Sequence, residues 1–280
     1  MGYTVLVRWK DADEKNDLAG FGRIAQQITG VHGGATKGQW QLYARFYKST
    51  TWPSRSINTM TTGDTCFVLC EDTSAPGHVS FENTKRATLA QDPNAQVPAR
   101  PSHYKSTSLT LSPPTLLGLL FQQIGGGTVW SNWMPGALPD IEINGAVFQI
   151  GEDLIIRVGR VIQKNQPRGL VIEAELIPLP RAPGPGEDPR LLQELITAVA
   201  PTNADVKAVS LTEEQWNEIL AGPDQETTTK TSNDDDDDDL FTWPGKEDET
   251  SPQKDWIGPE REKRSAFLLL KLLVTEGTQR

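Results

Sequence analysis

Glu173 and Glu175 stand two residues apart in the stretch RGLVIEAELIP. On a β-strand, side chains at i and i+2 share one face, so both carboxylates would point the same way. Inside a closed barrel such a pair can hold Mg²⁺ or Mn²⁺ for phosphoryl chemistry. A working site needs further convergent groups around the carboxylates. The chain offers half of a second pair, Glu142 with Asn144 in IEIN. A lone pair reads instead as a solvated face. Leu170, Ile172, Ala174 and Leu176 would pack on the opposite face, and the two glutamates would meet water.

The other motifs that could do chemistry lack their context. GFGRIA, residues 20–25, matches G-x-G-x-x-A, but the polar stretch KDADEKNDL parts it from the preceding strand. No acidic residue follows at the strand end where a ribose would need one. GGG at 125–127 has no Gly-Lys-Ser/Thr ending and reads as a helix stop. His32, His78 and His103 have no Cys or His at ligand spacing, and no G-x-S-x-G elbow is present. The expectation is no catalytic residue, no cofactor and no metal. Two features suit contact with a protein. Trp130, Trp133 and Met134 lie in the Pro/Gly-rich VWSNWMPGALP, where they either cover the core or anchor a partner. Arg157 and Arg160 interrupt an apolar strand pattern and read as interface residues.

Charge narrows the partners. Of the formal net charge of −10 over 280 residues, nearly all sits in residues 222–257, with twelve Asp/Glu against three Lys/Arg. The remainder is close to neutral, without the basic patch that direct nucleic-acid binding requires. Cys66 and Cys70, four residues apart on one expected strand, lie about 13 Å apart, too far for a disulfide. Reduced thiols suit the cytosol or nucleus. The longest apolar run near the end, AFLLLKLLV, is too short to span a bilayer, and MGYTVLVRWKDADEK is too short in apolar residues for a signal peptide.

The elements that would position these residues follow from periodicity. YTVLVRW reads as a strand; residues 17–29 place Leu18, Phe21, Ile24, Ala25 and Ile28 at helical spacing. Residues 39–48 alternate, with Trp40, Leu42, Ala44 and Phe46 on one face, and 64–71 and a short 78–82 read as further strands. Residues 84–112 are polar and read as a disordered insertion. PPTLLGLLFQQI reads as a helix. Strands at 139–150, 153–164 and 168–177 form a meander, and the turn NQPRG makes the last two a hairpin. A Pro-rich bridge at 180–188, helices at 189–199 and 211–220, and the acidic insert 222–257 follow. The helix at 259–274 is apolar nearly all round in its second half and must be buried, on its own sheet, against a partner, or both. The reading is one α+β domain over 1–280: an antiparallel, barrel-like sheet flanked by helices, with three disordered inserts.

The order of MGYT, GQWQLYARFYKS, TGDTCFVLCED, LLGLLFQQIGG, RGLVIEAELIP and the closing helix resembles the Mediator subunit 20 family. That resemblance implies a non-enzymatic nuclear coactivator subunit of the head module, acting in RNA polymerase II transcription. It implies a heterodimer with Mediator subunit 18 and other head-module contacts, an indirect link to the polymerase, and no nucleic acid, membrane or small-molecule substrate. The family fold is similar to the barrel of tunnel-type RNA triphosphatases, whose Glu-x-Glu strand carries a Lys two residues on. Here that position is Ile177. The alternative reading is therefore a metal-dependent phosphohydrolase of the tunnel type using Glu173 and Glu175.

Overall fold

The structure is a computed structural model. It describes residues 3–10, 17–93, 95–97, 101, 103–124, 132–178, 190–199, 205–209, 211, 215 and 258–278. The expected inserts 180–188 and 222–257 and the expected helix 211–220 lie outside the described residues, apart from Leu211 and Gln215.

The elements run β1 (Tyr3–Lys10), α1 (Asp17–Gln26) with a π-helical turn (Gln27–Val31), β2 (Ala35–Ser49), β3 (Arg55–Thr62) and β4 (Thr65–Asp72). There follow α2 (His78–Gln91), β5 (Tyr104–Thr110), α3 (Leu116–Ile124), β6 (Trp133–Pro135), β7 (Ile141–Ile150), β8 (Leu154–Gln163) and β9 (Gln166–Leu176). Last come α4 (Arg190–Val199), β10 (Asp205–Ala208) and α5 (Gly258–Thr278). The strands form one antiparallel sheet in the order β10-β1-β9-β8-β7-β2-β3-β4-β5, and β6 pairs with the end of β2. Among the described residues β10 and β5 are not joined, so the sheet is barrel-like but open.

The expected meander is present, with β8 and β9 turning through Lys164 and Asn165 at φ 51° and 61°. Two consecutive positive-φ residues between paired Gln163 and Gln166 make a tight primed turn, whose twist matches the strands it joins. Two expectations need correction, and one strand had no expectation. The segment 78–82 opens helix α2 and is not a strand. The polar stretch 84–112 is not an unstructured insertion throughout: it ends α2 and supplies β5, which pairs with β4 from Thr65↔Thr110 to Glu71↔Tyr104. An edge strand needs backbone pairing more than apolar side chains, so YKSTSLT gave no periodic signal. RSINTMTT has only Ile57 and Met60 as apolar residues and so also gives no periodic signal, yet as β3 it lies between β2 and β4.

The concave face of the sheet wraps α5. Leu6, Trp40, Leu42, Phe46, Met60, Phe67, Leu69, Ile141, Ile143, Val161 and Val171 form one core with Ala266–Leu270, Leu272 and Leu273 of the helix. Strands from β1 across to β4 all contribute, which explains why this helix is apolar nearly all round. Tyr104 of β5 stands edge-on to Phe267, with ring centroids 5.5 Å apart, and Val209 and Leu211 pack from the other rim. The helix thus bridges the opening between the sheet's two edges. Its near neighbours leave no room at two cross-strand glycines. A Cβ on Gly159 would meet Ile143 Cγ2 at 2.4 Å and the Trp40 ring at 3.0 Å; one on Gly145 would meet the Val158 carbonyl oxygen at 1.8 Å. The convex face is covered by α1 and α4 over β1, β8 and β9, and by α3 over β3 and β4.

Candidate functional site

The glutamate pair lies on the concave face. Arg157 is the direct cross-strand neighbour of Glu173, and Leu6 of β1 is its neighbour on the other side. Residues paired in this way share a face, so β8 delivers Arg157 beside both carboxylates. Helix α5 delivers Arg261 and, one turn later, Ser265 to the same spot. Arg157 Nη1 donates to Glu173 Oε1 at 2.8 Å and, with Nη2, to Glu175 Oε2 at 3.1 Å. Arg261 Nη2 donates to the same two oxygens at 2.8 and 2.7 Å. Ser265 Oγ donates to Glu173 Oε1 at 3.1 Å.

Glu173 and Glu175 are 2% and 1% exposed, so the expectation that they meet water is overturned. The strand is buried on both faces. Leu170, Ile172 and Ala174 pack outward against α1 and α4, while Val171, Glu173 and Glu175 face α5. Burying a carboxylate is tolerable only with charge-assisted partners, and two planar guanidinium groups supply them. No alternation in the strand announces this. The signal available in the sequence was Arg261 and Ser265, four residues apart just before the apolar run of the closing helix.

The arrangement is poorly suited to a divalent cation. One oxygen of each carboxylate, Glu173 Oε1 and Glu175 Oε2, lies within 3.1 Å of two guanidinium groups. A metal there would stand beside two fixed positive charges and would displace the bonds that allow the carboxylates to be buried. Glu142 and Asn144 give no help, because they point to the convex side. There Asn144 Nδ2 donates to Glu142 Oε1, and Glu142 faces Tyr43, whose phenol it pushes up by its negative charge. Among the described residues no group of three or more His, Cys, Asp or Glu gathers at one point.

The residues expected at an interface separate. Trp130 lies outside the described residues. Trp133 is half-buried in β6 and packs on the cluster of Ile57, Cys66, Val68, Leu117 and Phe121. Met134, opposite Lys48, is 56% exposed. Beside them α3 seats Leu117 and Phe121 in the core and leaves Leu116, Leu119 and Leu120 at the surface. Arg160 is half-buried on the convex face, across from Leu170. Arg157 points inward, its guanidinium committed to the glutamates.

Comparison with known proteins gives one family. The profile described as the TATA-binding related factor (TRF) of subunit 20 of the Mediator complex matches residues 1–240. No curated protein matches significantly. Among solved structures, the PH1012 protein of Pyrococcus horikoshii OT3 is similar at a TM-score of 0.39 and 9% identity, over 72% of this chain and 94% of that one. A putative adenylyl cyclase from Hippeastrum with a dominant triphosphatase activity is similar at 0.36 and 10% identity, over 71% and 88%. At these scores the structural likenesses support no functional argument.

Proposed function

The chain belongs to the Mediator subunit 20 family, and on that premise we propose that it is a non-enzymatic interaction subunit of the head module that pairs with Mediator subunit 18. Membership makes it a Mediator subunit with a role in transcription, which implies the nucleus. The observation that carries the proposal is the family match over residues 1–240. The glutamate pair supports its non-enzymatic part, since both carboxylates serve Arg157 and Arg261. We place the surface for subunit 18 at Trp133, Met134 and the outer leucines of α3, with Arg160 a second candidate on the convex side. Large apolar side chains at the surface beside a buried aromatic cluster have the make-up of an interface core. Arg157 is left out because reaching a partner would strip two buried carboxylates of a cation.

Co-expression with the matching Mediator subunit 18, followed by size exclusion with light scattering, tests the pairing. A salt-resistant one-to-one complex is the expected result. Two separate monomer peaks would sink it. The phosphohydrolase alternative is tested on the same preparation with a nucleoside triphosphate and Mn²⁺, where no turnover above that of a Glu173→Gln, Glu175→Gln variant is expected.

A further inference from the structure

Helix α2 stands apart from the rest of the fold. None of its described side chains is buried, and among the described residues none of α2 belongs to the hydrophobic clusters around the sheet. Its N-cap is Gly77, which offers no side-chain oxygen to the first amides. Thr84 and Thr88 are exposed, and each donates its hydroxyl to the carbonyl four residues back, Ser80 O and Thr84 O, at 2.9 Å. Threonine is a poor helix former, and such back-bonding loosens a helix further. A helix of 14 residues without a packed face is marginal in water, so this one opens locally far more often than the core does. On it lies the sequence Lys85-Arg86-Ala87-Thr88. Two cations stand three and two residues before an exposed hydroxyl, and no other Ser or Thr of the 280 residues has basic residues at both positions. The chain's second Lys-Arg pair, Lys263-Arg264, directly precedes Ser265, which is buried and donates to Glu173.

We propose that Thr88 is a phosphorylation site for a basophilic protein kinase, read through Lys85 and Arg86, and that the phosphate unwinds the end of α2. A kinase with acidic groups along its substrate cleft takes the two cations and so places the hydroxyl that follows them. In the transfer, the bond from the γ-phosphorus of ATP to its bridging oxygen breaks and a bond from that phosphorus to Thr88 Oγ1 forms. The hydroxyl proton leaves to the kinase's base, and ADP departs. Thr88 sits in the last turn of α2, where its carbonyl accepts from the Asp92 amide. A dianion there meets the negative end of the helix, and the hydroxyl bond to Thr84 O is lost. Lys85 lies one turn back on the same side, but Glu82 already stands 4.0 Å from it. One ammonium at the surface does not offset both the phosphate charge and the helix end, so the last turn frays. The frayed turn lies in the link between β4 and β5. This inference does not rest on the pairing with subunit 18, and either can fail alone.

The test treats the full, folded chain with the catalytic subunit of a cyclic-AMP-dependent protein kinase and Mg²⁺-ATP. Tandem mass spectrometry is expected to place the phosphate on Thr88. Thr88→Val should remove the incorporation, and Lys85→Ala combined with Arg86→Ala should slow it by about tenfold or more. The urea midpoints of both variants should match the parent's, since all three side chains lie outside the core. No incorporation, phosphate mainly at another residue, or a double variant modified as fast as the parent would overturn the site. Carbon-13 Cα chemical shifts of the phosphorylated and unmodified chains then read the helix itself. Loss of the helical shifts over the last turn of α2, with those of α5 unchanged, is the expected result. Helical shifts kept through Gln91 in the phosphorylated chain would overturn the unwinding.

Discussion

Glu173 and Glu175 show how residue type without environment misleads. Two acidic residues at strand spacing read as a solvated face, and the structure buries both. Each carboxylate is buried and accepts from two guanidinium groups that arrive from a neighbouring strand and from a helix more than eighty residues on. Removing one cation from such a cluster leaves a buried charge under-compensated, an effect of about 3–5 kcal/mol. Arg261→Ala should therefore lower the urea midpoint by that equivalent. A Glu262→Gln control should stay within about 0.5 kcal/mol, as exposed substitutions do. Asp72 makes a different prediction. The Ser74 hydroxyl and the Arg55 guanidinium, 2.7 Å away, hold its carboxyl well below the usual range. A depressed folded-state value adds stability that is present above the unfolded value of about 4 and fades as pH falls below it. The stability gap between the parent and Asp72→Asn should be full at pH 7 and shrink below about pH 3, as read by denaturant midpoints across pH.

At the scale of elements, strong periodicity was enough for the meander and weak periodicity was not. Strands β7, β8 and β9 fall within two residues of the expected 139–150, 153–164 and 168–177, because each is rich in alternating apolar residues. β3, β5 and β10 gave no such stripe and are held largely by neighbours that only folding supplies. The closing helix was legible as buried from its own composition, and the structure identifies what buries it. Leu270, 1% exposed at the middle of that contact, should cost about 2–5 kcal/mol on replacement by Ala. Gly145→Ala is expected to destabilise by about 1–3 kcal/mol through overpacking, because its new methyl group meets backbone that cannot yield. Equilibrium urea unfolding followed by circular dichroism measures both.

At the scale of the whole molecule, the proposed partner surface is the outer one. The concave face is taken up by α5, and the convex face by α1, α4 and α3, whose outer leucines continue beyond the core. Met134→Glu combined with Leu119→Glu should reduce co-elution with Mediator subunit 18 at least tenfold while leaving the unfolding midpoint unchanged, since both side chains are more than half exposed. Deleting residues 222–250, which remove most of the acidic charge and leave the start of α5 intact, should not weaken that complex. Loss of the complex on this deletion would instead assign the partner contact to the acidic segment. Light scattering at matched concentrations decides both.

The sequence by itself determined the antiparallel meander, the burial of the closing helix and the resemblance that the family match bears out, because each is written in local pattern or in the order of segments. It left undetermined that the sheet stays open around that helix and that Glu173, Glu175, Arg157 and Arg261 meet. Whether a carboxylate faces water or a guanidinium depends on which distant surface lies over it. That is decided only when Arg261 is brought across 86 residues of chain to Glu175.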